Sequence, residues 1–395
     1  MAEQTYNDPS GGTASSVGPQ LRTDYYQKKA LIEAAKESYF GQLADTTAMP
    51  KNMGKTIKRF HYLPILDDAN INDQGLDAAG AVATDGNLYG SSKDIGFISG
   101  KLPALSETGG RVNRVGMTRF QIEGTITKYG FFEEYTKESL DFDTDAELEM
   151  HINSEMVKGA NEMTEDMIQM DLLAGAGVLR FGGAATSDAE VSGEAGEVSV
   201  IDYNDLMRLE IDLDNNRCPK NTKIITGSRM VDTKVIDGAR YIYVGSEMIP
   251  SLKKMTDNFA NQAFISVASY GSAGSIARGE IGSIGGFRVI VVPEMLHWAG
   301  AGKAVTTNTG YRETNNAYDI YPMLVVGSGS FTTIGFQTDG KTTKFKIKHV
   351  KPESEGSYSS SDPFGEMGFM SIKWYYGSMI LRPERIALVK TVAEY

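Results

Sequence analysis

Residues 144–174 read TDAELEMHINSEMVKGANEMTEDMIQMDLLA. Leu148, Ile152, Met156, Met163, Met167 and Leu173 recur at helical spacing, which predicts one long helix with an apolar stripe. Thr144 and Glu147 match a capping box, while Asp143, Asp145, Glu147 and Glu149 place negative charge at the positive end of the helix dipole. Gly175 and Gly177 supply the stop. At about 1.5 Å per residue the helix spans on the order of 45 Å, long for one globular domain. Such a helix needs an equally extended body to pack on.

Upstream, Arg111 to Phe131 has strand character, with Val112, Val115, Ile122, Ile126 and Tyr129 set among glycines. Lys55 to Leu66 also reads as a strand, and Asp67 to Gly110 between them is rich in Gly, Asp and Ala without sustained periodicity. Connections of that length are functional or reach outward. Two readings stand side by side: an extended hairpin, or a surface loop between two core strands. Leu21 to Leu43 carries a helical stripe ending near Gly41, and residues 1 to 20 have the Gly, Ser and Pro content of an arm that neighbouring molecules would have to order.

Downstream, a Gly, Ser, Ala and Glu linker from Gly182 to Val198 precedes a helix at Asp202–Leu213. Strands follow at Lys223–Thr226, Arg240–Val244 and Gly286–Val292. Helix and strand alternate there, as in an α/β unit. Lys341 to Tyr395 is strand-like again: Phe345 and Ile347 alternate with Lys344, Lys346 and Lys348, and Met370 to Leu381 is an aromatic-rich strand.

The chain has 395 residues, of which 41% are hydrophobic and 23% charged, which excludes a wholly disordered or fibrous protein. One cysteine, Cys218, and four scattered histidines exclude an intrachain disulfide framework and lower the case for a zinc centre. The first ten residues, MAEQTYNDPS, lack a basic start and an apolar run, so the expectation is cytoplasmic synthesis without a signal peptide. The longest apolar runs are far shorter than the roughly 20 residues of a membrane helix.

The formal net charge is −12, and it is unevenly spread. Glu133 to Asp171 holds thirteen acidic residues against Lys137 and Lys158, whereas Lys341 to Lys351 holds five lysines and no acid. Opposite poles on one chain suit self-association as well as polyanion contact.

Catalytic patterns are missing. Gly54-Lys55-Thr56 could end a phosphate-binding loop, but Met49 stands where its first glycine belongs, and Lys55 reads as a strand-start lysine. Gly327-Ser328-Gly329 is followed by Thr332 where a dinucleotide fingerprint needs glycine; Tyr270 replaces the leading glycine of a nucleophile elbow before Ser272. Cys218 has no neighbouring histidine, His297 beside Trp298 reads as a packed aromatic pair, and the acid pairs Glu133-Glu134 and Glu165-Asp166 read as solvated helix or strand faces. The lysines at 344, 346 and 348 read first as protection of an edge strand, and second as contacts to DNA or an acidic partner. No catalytic, cofactor-binding or metal-binding residue is assigned, and no cofactor is expected.

The order of elements resembles the HK97 fold of tailed-phage major capsid proteins, an α+β architecture. Gly279–Pro293, GEIGSIGGFRVIVVP, resembles the glycine-rich turn and central strand of their axial domain. Asp362–Leu381, DPFGEMGFMSIKWYYGSMIL, resembles the C-terminal signature of N4-type podophage head proteins, as does the Gly54–Lys58 strand start. The resemblance implies five parts: an N-terminal arm with a helix over 1–50, an extended E-loop hairpin with flanking strands over 51–120, and a peripheral P-domain over 121–200 carrying the spine helix at 144–174. An axial A-domain over 201–336 and a C-terminal return to the P-domain over 337–395 complete it.

It also implies a function: self-assembly into an icosahedral virion shell around packaged double-stranded DNA, without enzymatic activity. The implied partners are copies of the chain itself in pentamers and hexamers, with portal, scaffolding and decoration proteins. DNA would be touched only by weak non-specific contact, no membrane is involved, and assembly would take place in the host bacterial cytoplasm. Residues expected between subunits are Glu155, Glu162 and Glu165 on the acidic helix, facing Arg111, Arg114 and Arg119 on the long hairpin, together with Lys344, Lys346 and Lys348. The alternatives are another phage structural protein, such as a tail-tube or layer subunit, and an α/β enzyme built on Asp202–Val292.

Overall fold

The computed structural model describes residues 39–41, 43–49, 54–62, 119–142, 148–225, 233–237, 240–270, 279–336, 345–358 and 362–395. Among them the strands in the first half are β1 (Asp45–Met49), β2 (Thr56–Tyr62), β3 (Arg119–Thr125), β4 (Thr127–Thr136), β5 (Val178–Phe181), β6 (Asn221–Ile225), β7 (Thr233–Asp237), β8 (Arg240–Gly245) and β9 (Phe264–Ser266). The second half adds β10 (Glu280–Ile284), β11 (Phe287–Val292), β12 (Glu313–Thr314), β13 (Ala317–Tyr318), β14 (Tyr321–Val326), β15 (Phe331–Phe336), β16 (Phe345–Val350), β17 (Met367–Ile380) and β18 (Ile386–Thr391). The principal helices are Leu148–Ala174 and Tyr203–Asn215.

Two sheets dominate. One holds five strands in the order β1-β15-β17-β16, with β4 also paired to β17; the other holds seven in the order β5-β18-β14-β8-β11-β10-β9. The long helix joins them in one core. Its Met156, Ala160, Ile168 and Leu172 cluster with Met370, Ile372 and Trp374 of the first sheet and with Tyr241, Tyr243 and Leu324 of the second.

The alternation of strand side chains explains both layers. Tyr241 and Tyr243 face the long helix, while Ile242 and Val244, alternating with them, face Leu206, Leu209 and Leu213 of the helix Tyr203–Asn215. With both faces covered, every residue of β8 is buried, so its sequence RYIYVG reads as a continuous run rather than an alternating one. The second helix starts at a reciprocal capping box between Asp202 and Asp205.

Polar ties fasten the long helix as well. Tyr376 and Ser378 hydroxyls donate to one Asp171 carboxylate oxygen at 2.7 and 2.6 Å. Trp374, 2% exposed, fills the space between helix and sheet, with Phe131 and Phe345 meeting it edge-on at 6.1 and 5.8 Å.

Several expectations need adjustment. The capping box at Thr144 and Glu147 lies outside the described residues, and the helix runs from Leu148 to Ala174. Tyr39 to Gly41, expected to end a helix, instead forms a bend because its amides turn onto Glu165. Of the expected strand Arg111–Phe131, the described part from Arg119 falls in two strands parted at Ile126, whose buried side chain joins a small cluster with Met49, Ile334 and Met379. β2 and β3 pair antiparallel from Thr56↔Thr125 to Tyr62↔Arg119. Their side chains are mostly exposed, apart from Ile57 and Ile122, which pack on the cluster of Met49, Ile126 and Ile334; residues 63–118 lie outside the description.

Strand pairing crosses residues 201 and 336. β5 and β18, from outside the axial segment, belong to the seven-stranded sheet, and β15, from inside it, belongs to the five-stranded one.

Candidate assembly surfaces

β4, β17 and β16 form an antiparallel sheet whose inner face lies on the long helix. Because β17 alternates, Met370, Ile372, Trp374 and Tyr376 are buried, and Phe369, Ser371, Lys373 and Tyr375 point the other way. Register then sets their neighbours: Lys346 stands opposite Lys373, Lys348 opposite Ser371, Phe132 opposite Ser371, and Lys128 opposite Tyr375. Lys128, Lys373, Lys346 and Lys348 thus form a stripe across three strands. All four are exposed, and none forms an ion pair with a described residue.

Beside the stripe lies a shallow groove of about 530 Å³, lined by Lys128, Gly130, Phe132, Glu134, Phe369 and Lys373. Gly130 on its floor lets the two strands approach closely, since a Cβ there would sit 2.7 Å from the Ile372 carbonyl oxygen. Phe132 is 61% exposed. Aromatic and cationic groups side by side favour a partner carrying both apolar and acidic groups.

The acidic pole lies on the long helix. Glu155 is exposed and paired with Lys158 at 2.6 Å, and Glu162, seven residues on, shares its face and is half-buried. Glu165 departs from the expectation: it is buried and accepts backbone N–H bonds from Tyr39, Phe40 and Gly41, so it serves the interior of its own subunit. Arg119 is exposed on β3 with its guanidinium 4.3 Å above the Phe60 ring. Lys344, Arg111 and Arg114 lie outside the described residues. Lys128 and Lys373 were missed because each is a single lysine in an aromatic strand. Only the pairing register brings them beside Lys346.

Two of the residues weighed for catalysis, Cys218 and His297, are taken up in packing, whereas Glu133 and Glu134 are exposed. Burial pushes the Cys218 thiol above its ordinary value, against reactivity. His297 stacks on Tyr321 at 4.8 Å. Among the described residues no cluster of His, Cys, Asp and Glu could hold a metal, and no helix is long and apolar enough to cross a membrane.

The family model of the phage capsid protein matches residues 119–389, from β3 to β18. The major capsid protein of Pseudomonas phage KPP21 is 61% identical over 389 residues, covering 98% of this chain and 97% of that protein. This chain belongs to the phage capsid protein family. Its fold is that of the solved phage capsids: the capsid of Ralstonia phage GP4 superposes with a TM-score of 0.57 at 10% identity over 97% of this chain and 98% of that one. The capsid of cyanophage P-SCSP1u gives 0.53 at 12% identity, over 94% and 93%. The expected HK97-like α+β fold therefore holds for this phage capsid protein, a major capsid protein that forms the head shell.

Proposed function

We propose that this phage capsid protein closes into pentamers and hexamers of an icosahedral shell around packaged double-stranded DNA, and that the lysine stripe of its five-stranded sheet is a main electrostatic contact between copies. The observation that carries the contact is the stripe itself: four exposed lysines brought side by side in a chain of net charge −12. Carboxylates of an adjacent copy, Glu155 and Glu162 among them, are the complement that every copy supplies. Arg111, Arg114, Arg119 and Lys344 belong to the same basic set.

The acidic balance suits the container. Every phosphate neutralised by a lysine adds to DNA affinity, and a shell that released its genome poorly would fail. A net negative subunit keeps DNA contact weak and non-specific. Portal, scaffolding and decoration proteins are the further partners, assembly takes place in the host cytoplasm, and the role is structural rather than enzymatic.

In domain terms, the long helix with the five-stranded sheet is the peripheral unit. The seven-stranded sheet, including β5 and β18, is the axial unit. The β2–β3 ribbon is the base of the E-loop.

The test is charge reversal with sedimentation. Lys373→Glu combined with Lys348→Glu should leave a folded subunit that assembles poorly at low salt, and Glu155→Lys with Glu162→Lys should partly restore assembly. Assembly of the doubly reversed lysine variant at wild-type yield and salt dependence would refute the contact.

A further inference from the structure

We infer that Tyr39–Met49 is a latched strap, a docked segment that opens as one unit ahead of the body, with Glu165 as its catch. Three successive amides, of Tyr39, Phe40 and Gly41, converge on the Glu165 carboxylate at 2.6, 2.5 and 3.2 Å. Successive N–H groups around one anion form a nest, and bonds to an ionised acceptor are about twice as strong as neutral ones. Gly41 fits this use, because a Cβ there would lie 3.2 Å from Glu165 Oε2.

Beyond the catch, the strap is held by contacts distant in sequence. Phe40, 1% exposed, packs on Tyr243 at 5.1 Å, and Ala44 is equally buried. β1 adds to β15 in parallel from Asp45↔Thr332 to Met49↔Phe336. The Thr332 hydroxyl donates to the Asp45 carbonyl at 2.7 Å and lies 2.9 Å from Thr47 Oγ1. The catch is made across 124 to 126 residues and the Thr47–Thr332 contact across 285. A segment held this way behaves as a tethered peptide on an open strand edge.

Local opening follows the number and burial of such contacts. Among the described residues the strap pairs with β15 on one side and is caught by Glu165, whereas β8 and β14 are paired on both sides and covered on both faces. The strap therefore forms the lowest cooperative unit of this region, and Glu165 is what ties its first residues to the long helix. The latch stands on the subunit alone; its consequence for assembly rests on the shell reading above.

Hydrogen exchange on the full chain, wild type and Glu165→Gln, tests it. The amides of Tyr39–Gly41 and Asp45–Met49 should exchange together and faster than those of β8 and β14. Glu165→Gln should speed the strap about tenfold or more without moving the body. A second variant, Thr47→Cys with Thr332→Cys, should slow the strap again once oxidised, in the Glu165→Gln background. Strap amides exchanging at the rate of the body in wild type, or unmoved by Glu165→Gln, would overturn the latch. Shell yield read alongside separates the two claims: a loosened strap with normal shells keeps the latch and removes its role in assembly.

Discussion

Lys346 and Lys373 face each other across β16 and β17 on the outward side of the five-stranded sheet, a like-charge pair in direct register. Opposed like charges destabilise a sheet, whereas opposite charges contribute roughly 0.2–1 kcal/mol. Such a pair makes physical sense where an anion from outside the subunit is to be met.

The pair separates folding from assembly. Lys373→Glu, placed opposite Lys346, should raise the melting temperature of the unassembled subunit slightly, by up to about 1 kcal/mol of stability. The same change should weaken assembly at low ionic strength, with the difference from wild type shrinking as salt screens both, since the Debye length is about 10 Å at 0.1 M. Thermal melting and sedimentation of one preparation check both halves.

Trp374 carries the junction of helix and sheet. Trp374→Ala should cost about 3–5 kcal/mol, read by denaturant unfolding, because the rings of Phe131 and Phe345 lose their common partner. Trp374→Phe should cost much less.

Gly130 lies at the floor of the basic groove. Gly130→Ala drives a Cβ to 2.7 Å from the Ile372 carbonyl oxygen, a backbone clash between two strands that cannot be relieved by a side-chain rotation. An expected loss of about 1–3 kcal/mol follows, the range of core overpacking. The check is the urea midpoint of the purified subunit.

Glu384 is buried beside Arg382 and Arg385, and desolvation by burial raises its pKa despite both arginines. A carboxyl whose folded-state pKa lies above its unfolded value adds stability fully below the unfolded pKa, near 4.5, and loses it as pH rises through the folded one. At neutral pH Glu384 is therefore a burden, its Oε1 buried with no hydrogen-bond partner among the described residues. Glu384→Gln should stabilise the subunit by on the order of 1 kcal/mol at pH 7, and the gain should vanish below about pH 4. Melting curves across that range check the sign.

The legible part of the fold was whatever repeats along the chain. Most of the long helix's stripe, from Ile152 and Met156 to Met167 and Leu173, and the Lys/apolar alternation of β16 are periodic, β8 and β11 are continuous apolar runs, and such local patterns survive without knowledge of partners, although Met163 of the expected stripe is exposed. Glu165 was not legible: on a helical wheel it looks like any exposed acid, and only a segment more than 120 residues away gives it a buried role. Lys373 is the converse, invisible as a site until strand register places it against Lys346. β18 returned to the seven-stranded sheet for a similar reason, because its pairing with β14 and β5 is long-range. Non-local pairing, rather than local propensity, carries most of what the sequence withheld.

The central claim is that copies of this chain close on themselves through complementary charge. Electron microscopy with sedimentation of the full chain, produced alone and together with its neighbouring viral genes, addresses it most directly. Closed polyhedral shells whose yield falls when Lys373 and Lys348 are reversed are the predicted result. A discrete monomer or dimer under both conditions would contradict it.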